Sequence, residues 1–335
     1  MILVTGATGI LGRVIVLQLL KKGRKVRATK RPESNLDEVK HSFRFYTDTP
    51  EEYFNIIDWV DIDFDDIDSI STALHGVEEV YHCAGKVSFN PSEKKEIYHT
   101  NISGTKNLLY ACEDFQIKKF LFISSIAVLD GLNEQGYLDE ESDFNPKIAH
   151  SAYAKSKHFA EMEVWRASAE GLNTIILNPG VIIGSGNWGR SSALLFKTSK
   201  YTFSGGTAFV DVRDVAQIAV QLMDENAFGE RFVIVSENKS YEEVGNQIRQ
   251  RLGLGKTKIL SDKLLNAARF LNVFGFIFPR LKLMNKANIN AVTSNINITN
   301  QKIRRRLNFD FIPVKESIDF HLENYLADQS FKTSK

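Results

Sequence analysis

The opening stretch "MILVTGATGILG" fixes more than any other part of the chain. A short apolar run, Ile2–Thr5, passes directly into glycines at positions 6, 9 and 12, and these open the apolar-periodic run "ILGRVIVLQLLKKG". Glycines at this spacing between strand and helix allow a tight turn, close approach of backbone to a pyrophosphate, and close packing of the helix on the strand. The helix N-terminus adds unpaired N–H groups and partial positive charge for phosphate. A dinucleotide is therefore expected along Gly6, Thr8, Gly9, Ile10, Leu11 and Gly12.

The same alternation continues. Strand-like runs "KVRAT", "IIDWVDIDF", "EEVYHCAG", "KKFLFISSIAV" and "NTIILNPGVIIG" are separated by helical patterns, of which "SEKKEIYHTNISGTKNLLYACED" reads as one long helix. This predicts an α/β fold of Rossmann type, a doubly wound parallel sheet with helices on both faces and a smaller, mostly helical C-terminal substrate lobe. The expected boundaries are residues 1–178 and 207–236 for the dinucleotide-binding domain, and 179–206 and 237–330 for the lobe. The stretch "HSFRFYTDTPEEYFN" exceeds a simple connection and is expected to form an edge hairpin or loop.

An NAD site usually carries an acid near the end of the second strand, for the ribose hydroxyls. Here that place reads "KVRATKRPES", with Lys30 and Arg31 where the acid would be. Basic residues suit a 2′-phosphate, so NADP(H) is favoured and NAD(H) stays open. In "HSAYAKSKHFAE", Tyr153 and Lys157 share one helix face. An ammonium beside a phenol favours the phenolate and lowers the tyrosine pKa from about 10.

A formal charge of +1 gives no sign of a nucleic-acid partner. Cys83 and Cys112 read as small buried residues rather than a disulfide framework, and the opening has no basic leader; a cytoplasmic setting is expected. The most apolar later segment, Leu264–Pro279, is interrupted by Asn266, Arg269 and Asn272 and is too short to span a bilayer; a buried or pocket-lining helix is expected, with a place at a membrane surface as the alternative.

Together these motifs resemble the extended short-chain dehydrogenase/reductase family, which includes NAD-dependent epimerases and dehydratases, and within it the dihydroflavonol reductase-like branch. The resemblance covers roughly residues 1–237. It implies adenine contacts for Asp63 and Phe64, a cofactor-lining turn at Ala84, Gly85 and Lys86, and a structural or proton-relay place for Asn101. It implies Ser125, Tyr153 and Lys157 as catalytic residues, Tyr153 and Lys157 also touching the cofactor, with Ser124 beside it. Pro179, Gly180, Val181 and Ile182 match the segment next to the nicotinamide, although Asn178 stands in place of the family's arginine and Ile183 in place of its aromatic. "FVDVRDVA" resembles the segment returning the chain to the sheet.

The implied activity is reduction of a ketone or aldehyde, or oxidation of the matching alcohol. Leu194, Leu195, Phe196, Phe203, Phe209 and "FLNVFGFIF" lean toward an apolar small molecule, steroid-type alcohols included, unless they are ordinary core. A nucleotide-sugar epimerase or dehydratase is the alternative; it would need cations such as Arg190, Arg213, Arg249 or Arg304–Arg306 for a diphosphate. A non-catalytic NADP-sensing regulator is a third reading. No metal is expected. The resemblance also implies a homodimer paired through the long helices, with Phe159 and Met162 facing either a partner or the chain's own sheet.

Overall fold

The computed structural model describes residues 1–188, 195–197, 199–276 and 279–333. Arg190, Leu194 and positions 277–278 of the apolar segment lie outside the described residues.

Seven strands form one parallel sheet: β1 (Ile2–Thr5), β2 (Val26–Lys30), β3 (Asp58–Asp61), β4 (Glu79–His82), β5 (Lys119–Ile123), β6 (Asn173–Pro179) and, later in the chain, β10 (Glu230–Ile234). Their spatial order is β10-β6-β5-β4-β1-β2-β3. The order reverses between β1 and β4, which opens a crevice at the carboxyl ends of those strands. On one face α1 (Ile10–Lys21) packs beside α8 (Val212–Asp224), and the core between them and the sheet includes Val14, Leu17, Ile218 and Leu222. On the other lie α4 (Ile67–Leu74), α6 (Gly104–Asp114) and α7 (Ala152–Ala169), with Leu108, Phe120, Ala160 and Val164 buried between.

Three sequence expectations are corrected. The 41–55 stretch is no hairpin; it spans the end of α2 (Leu36–Phe43) and all of α3 (Pro50–Asn55). Asn35 caps α2 by accepting from the Glu38 amide, Pro50 starts α3, and Val39 and Phe43 bury one apolar face in the α1 core. The run "NTIILNPGVIIG" is two strands: the chain leaves the large sheet after β6 and joins a second one as β7 (Val181–Ile183). A side chain at Gly180 would stand 2.5 Å from the Ala208 carbonyl, so only glycine lets the chain cross here. The expected long helix consists of α5 (Lys94–Tyr98) and α6 joined by one π-helical turn, His99–Ser103. Turns of that kind re-aim one side chain, here Asn101.

The second sheet sets β9 (Gly206–Asp211) between β7 and β11 (Glu237–Ser240), and a two-stranded ribbon pairs β8 (Tyr201–Thr202) with β12 (Lys258–Ile259). The remaining helices are α9 (Tyr241–Arg251), α10 (Asp262–Ala268), α11 (Lys286–Thr293), α12 (Gln301–Leu307) and α13 (Val314–Thr333). Helix α13 docks through a fully buried string: Ser185 Oγ lies 2.7 Å from His321 Nδ1, and His321 Nε2 3.2 Å from Asp211. Arg213 and His321 hold the Asp211 carboxylate ionised, while burial keeps the imidazole neutral. Though the residue types are serine, histidine and aspartate, water cannot reach them and their work is anchoring. Phe196 and Phe209 pack here against Val244 and Ile318, so they are core and do not line the crevice.

Candidate functional site

At the glycine loop, Gly6 takes φ +63, and a Cβ on it would stand 2.6 Å from the Ala84 amide nitrogen. A Cβ on Gly12 would stand 2.3 Å from the Gly6 carbonyl oxygen. Both close approaches exclude any side chain and leave an open cradle before α1. That helix begins at Gly9 with no side-chain cap and no acid in its first turn, so its free amides face the cradle. These features fit a dinucleotide pyrophosphate. Thr8, Ile10 and Leu11 lie in the same loop and first turn.

Sequence reasoning passed over Arg13, which is buried although it follows the last glycine. Its guanidinium bonds the carbonyls of Thr8 and Gly9 and both oxygens of Glu38, at 2.9 and 2.8 Å. Glu38 in turn accepts from the Asn187 amide. The glycine loop is thereby tied to α2 and to the segment after β7.

Beyond β2, Lys30 is engaged by Asp61, whereas the exposed Arg31 side chain has no protein partner among the described residues. Asp63 and Phe64 lie just beyond β3; the Phe64 carbonyl accepts from Asn107 Nδ2.

Under the crevice runs a buried chain of hydroxyls. The Ala84 amide donates to Thr5 Oγ1, which lies 2.7 Å from His82 Nδ1; His82 Nε2 lies 3.0 Å from Thr105 Oγ1, and that hydroxyl donates to the Asn101 carbonyl. Burial lowers the His82 pKa to about 3, so the ring stays neutral. Asn101 clamps the next turn: its Oδ1 accepts from the Lys86 amide at 2.7 Å, and its Nδ2 donates to the Lys86 carbonyl and to Ser156 Oγ. Lys86 turns its own ammonium outward to Glu93 and Glu96. The crevice therefore meets its backbone.

Ser151 caps α7 by accepting from the Ala154 amide, and the helix then presents Tyr153, Lys157 and Glu161 one turn apart. The Tyr153 phenol faces the Ser125 hydroxyl, which itself accepts from the Ala127 amide at 3.1 Å. Lys157 is buried, its Nζ 3.7 Å from where a Gly85 Cβ would lie and 4.4 Å above the Phe122 ring. The three residues are thus brought together beside Gly85. The expected depression of the tyrosine pKa is not found: burial raises it, and only the Ser125 hydrogen bond pulls it down. Burial also lowers Lys157 to about 8, partly offset by the negative charge of Glu161.

Ser124 is not brought to the crevice by its hydroxyl, which donates to buried Glu161 at 2.6 Å. Glu161 also accepts from Asn178 Nδ2 and from Arg231 on β10. Asn178 Nδ2 bonds the Ser125 carbonyl too, so one network joins the end of β5 to α7. Arg231 also donates to the carbonyls of Glu140 and Ser142. Neither Glu161 nor Arg231 carried a sequence signal, because a charged residue inside a helical or strand pattern reads as surface. Phe89, half exposed, sets its ring edge-on to Tyr153 at 6.0 Å.

The expected diphosphate cations lie elsewhere. Arg213 pairs with Asp211, Arg249 bonds the Ser199 and Gly255 carbonyls, and Arg304–Arg306 are exposed on α12. A cavity of about 760 Å³ between α1, α8 and residues 307–320 lies across the sheet from Tyr153. Its arginines are held by carboxylates, Arg213 by Asp211 and Arg44 by Asp328.

Fold and crevice define a dinucleotide-dependent enzyme of the doubly wound α/β class. The model of the NAD dependent epimerase/dehydratase family matches residues 2–235, and the chain belongs to that family, an extended short-chain dehydrogenase/reductase group. It is an NAD(P)-dependent oxidoreductase acting on CH–OH/C=O groups. The sequence is 30% identical over 244 residues to sterol demethylase protein B of Methylococcus capsulatus, covering 70% of each chain. It is 28% identical to a putative dihydroflavonol 4-reductase of Synechocystis (76% of this chain, 73% of the other) and 25% identical to anthocyanidin reductase of Arabidopsis thaliana (78% and 87%). The crystal structure of gox2253 superposes with a TM-score of 0.81 at 21% identity over 98% of each chain. That of MoeE5 with UDP-glucuronic acid and NAD has a TM-score of 0.73 at 19% identity, covering 98% of this chain and 99% of the other. Both show likeness of fold.

Glu161→Gln keeps the hydrogen-bonding shape and removes the charge. The Lys157 pKa is expected to drop by on the order of one further unit, read by NMR titration of the lysine ε-carbon. An unchanged titration would show that Glu161 does not set the lysine's charge.

Proposed function

We propose that the chain reduces a ketone or aldehyde on an apolar small molecule, or oxidises the matching alcohol, with NADP(H) as cofactor. The observation that carries this reading is the Tyr153 phenol facing the Ser125 hydroxyl, with Lys157 one turn on beside Gly85. Three of the relatives support it by name, two as reductases and one by its sterol.

When bound, the nicotinamide supplies or accepts the hydride. Tyr153 donates its proton to the substrate oxygen in reduction; its raised pKa keeps the phenol protonated and ready across the neutral range. Ser125 donates a second hydrogen bond to that oxygen and stabilises the charge developing there. Lys157 holds the ribose hydroxyls and is charged below about pH 8. Gly85, Lys86 and Asn101 shape the floor through backbone groups, with Pro179, Gly180, Val181 and Ile182 on the far wall. Asp63 and Phe64 receive the adenine end.

Arg31 takes the 2′-phosphate, since Lys30 is occupied by Asp61. The sheet and its helices form the cofactor-binding domain, and residues 179–206 and 237–330 supply the substrate lobe. Phe89 provides the apolar wall next to the reacting carbon. Arg213 and Arg249 are held by protein partners and Arg304–Arg306 are exposed on α12, so these arginines do not converge on a nucleotide-sugar diphosphate. A homodimer through α6 and α7 completes the proposal: Phe159 and Met162 are 47% and 43% exposed and do not face the chain's own sheet.

Tyr153→Phe is expected to lower NADPH-dependent turnover of a ketone and aldehyde panel by about 10²–10⁴-fold while leaving NADPH affinity near wild type. Turnover close to wild type would remove the proposed acid, and conversion of UDP-glucose with NAD would favour an epimerase instead. Arg31→Asp should reverse the preference between NADPH and NADH; an unaltered ratio of kcat/KM values places the phosphate contact elsewhere. Multi-angle light scattering should give twice the chain mass, falling to one chain on Phe159→Glu. A monomer mass for the unaltered protein refutes the pairing.

A further inference from the structure

The residues around Tyr153 are covered by an element whose outer side has no protein to meet. Helix α10 is followed by the 3₁₀ turns Arg269–Phe276 and Pro279–Leu283 and then by α11. The second turn and α11 rest on the rim of the crevice: Lys282 Nζ of the turn donates to Ser92 Oγ at 2.9 Å, and Asn288 Nδ2 of α11 donates to the Phe89 carbonyl at 2.9 Å. Phe89 in turn packs on Tyr153. On the outside, Leu264 is 60% and Phe270 72% exposed, the latter the most exposed large apolar side chain among the described residues. Leu271 and Leu283 are exposed beside them.

Charge around these apolar residues is mostly of one sign; Asp262, which accepts from Ser204 Oγ, is the one acid of α10. The whole chain carries a formal +1, yet from Lys263 to Phe309 it contains no aspartate and no glutamate. Lys263, Arg269 and Lys286 are exposed and make no ion pair among the described residues; the Arg269 guanidinium lies 5.5 Å from the Phe270 ring centroid. A protein partner would call for a shaped surface with charges of both signs to fix register. Projecting apolar side chains ringed by unpaired cations match a surface that has no fixed shape and uniform negative charge. No helix among the described residues is long and apolar enough to cross a membrane, so the fit is to its face.

We propose that this element docks the protein on an anionic lipid bilayer, with Leu264, Phe270 and Leu271 in the headgroup–acyl boundary and Lys263, Arg269 and Lys286 among lipid phosphates and carboxylates. Resting on the reading of the reaction above, one consequence is that an apolar carbonyl compound dissolved in lipid enters the crevice beneath this cover, past Phe89. The docking itself does not depend on that reading.

The test is flotation of the full chain with vesicles of phosphatidylcholine alone and of an equimolar mixture with phosphatidylserine. Binding to the mixed vesicles is expected, and binding to phosphatidylcholine alone should be weaker by on the order of a hundredfold, since each of the three cations near an anionic surface contributes about fivefold. Raised salt should weaken binding to the mixed vesicles. Lys263→Glu with Arg269→Glu, and separately Phe270→Ser with Leu271→Ser, should each lower partition by about tenfold or more, while the rate with a water-soluble aldehyde stays unchanged. Absence of flotation, or equal partition of both variants and the unaltered protein, overturns the proposal. So does light scattering in which Phe270→Ser with Leu271→Ser splits a dimer, which would give the face to a second copy. Flotation without carbonyl reduction upholds docking and overturns the catalytic reading alone.

Discussion

One buried carboxylate holds the reacting groups in place. Glu161 lies on the face of α7 that carries Tyr153 and Lys157, and it receives bonds from Ser124, Asn178 and Arg231. A charge so deeply buried is costly unless its donors are all present. Because two of those donors sit at the ends of β5 and β6, satisfying Glu161 fixes the helix against the sheet. Asn178 reaches on to the Ser125 carbonyl. The separation of the Ser125 hydroxyl from the Tyr153 phenol is therefore set from beneath, by groups that take no part in the reaction.

The same network bears on the electrostatics. Lys157 is buried over the Phe122 ring, and the neighbouring His82 is neutral because burial forbids its charge. A second cation would repel the ammonium, whereas the ring face and the Glu161 charge support it. Asn101, on a π turn, then fixes the Lys86 backbone and leaves the crevice floor to main-chain groups. Thr5, His82, Asn101, Thr105 and Ser124 spend their side-chain hydrogen bonds on other protein groups, while Asn178 Oδ1 is buried without a partner.

How much of this the sequence disclosed follows from the range of the interactions. Glycine spacing, strand–helix alternation and the i, i+4 pair are local patterns, and the sheet, the cradle and the pairing of Tyr153 with Lys157 were legible from them, whereas Ser125 was implied by the family resemblance alone. The roles of Arg13, Glu161 and Arg231 were not, because a buried charge is identified by partners distant in sequence: Arg13 by Glu38, Glu161 by Arg231. The helices at 41–55 were missed for a related reason. Their apolar face is short, and they are held by tertiary packing on α1 rather than by propensity. The rise in the Tyr153 pKa was equally hidden, since helical spacing shows that lysine and tyrosine share a face but says nothing of how far each is desolvated.

The asymmetry between the two readings of the lobe has a physical origin. Recognition of a diphosphate requires free cations converging on one place, and the candidate arginines among the described residues serve other ends: Arg213 a buried carboxylate, Arg249 a loop, and Arg304–Arg306 an exposed helix face. Recognition of an apolar carbonyl compound asks for little beyond exclusion of water and two donors at the oxygen. Phe89 and the cover resting on it can give the first, Ser125 and Tyr153 the second.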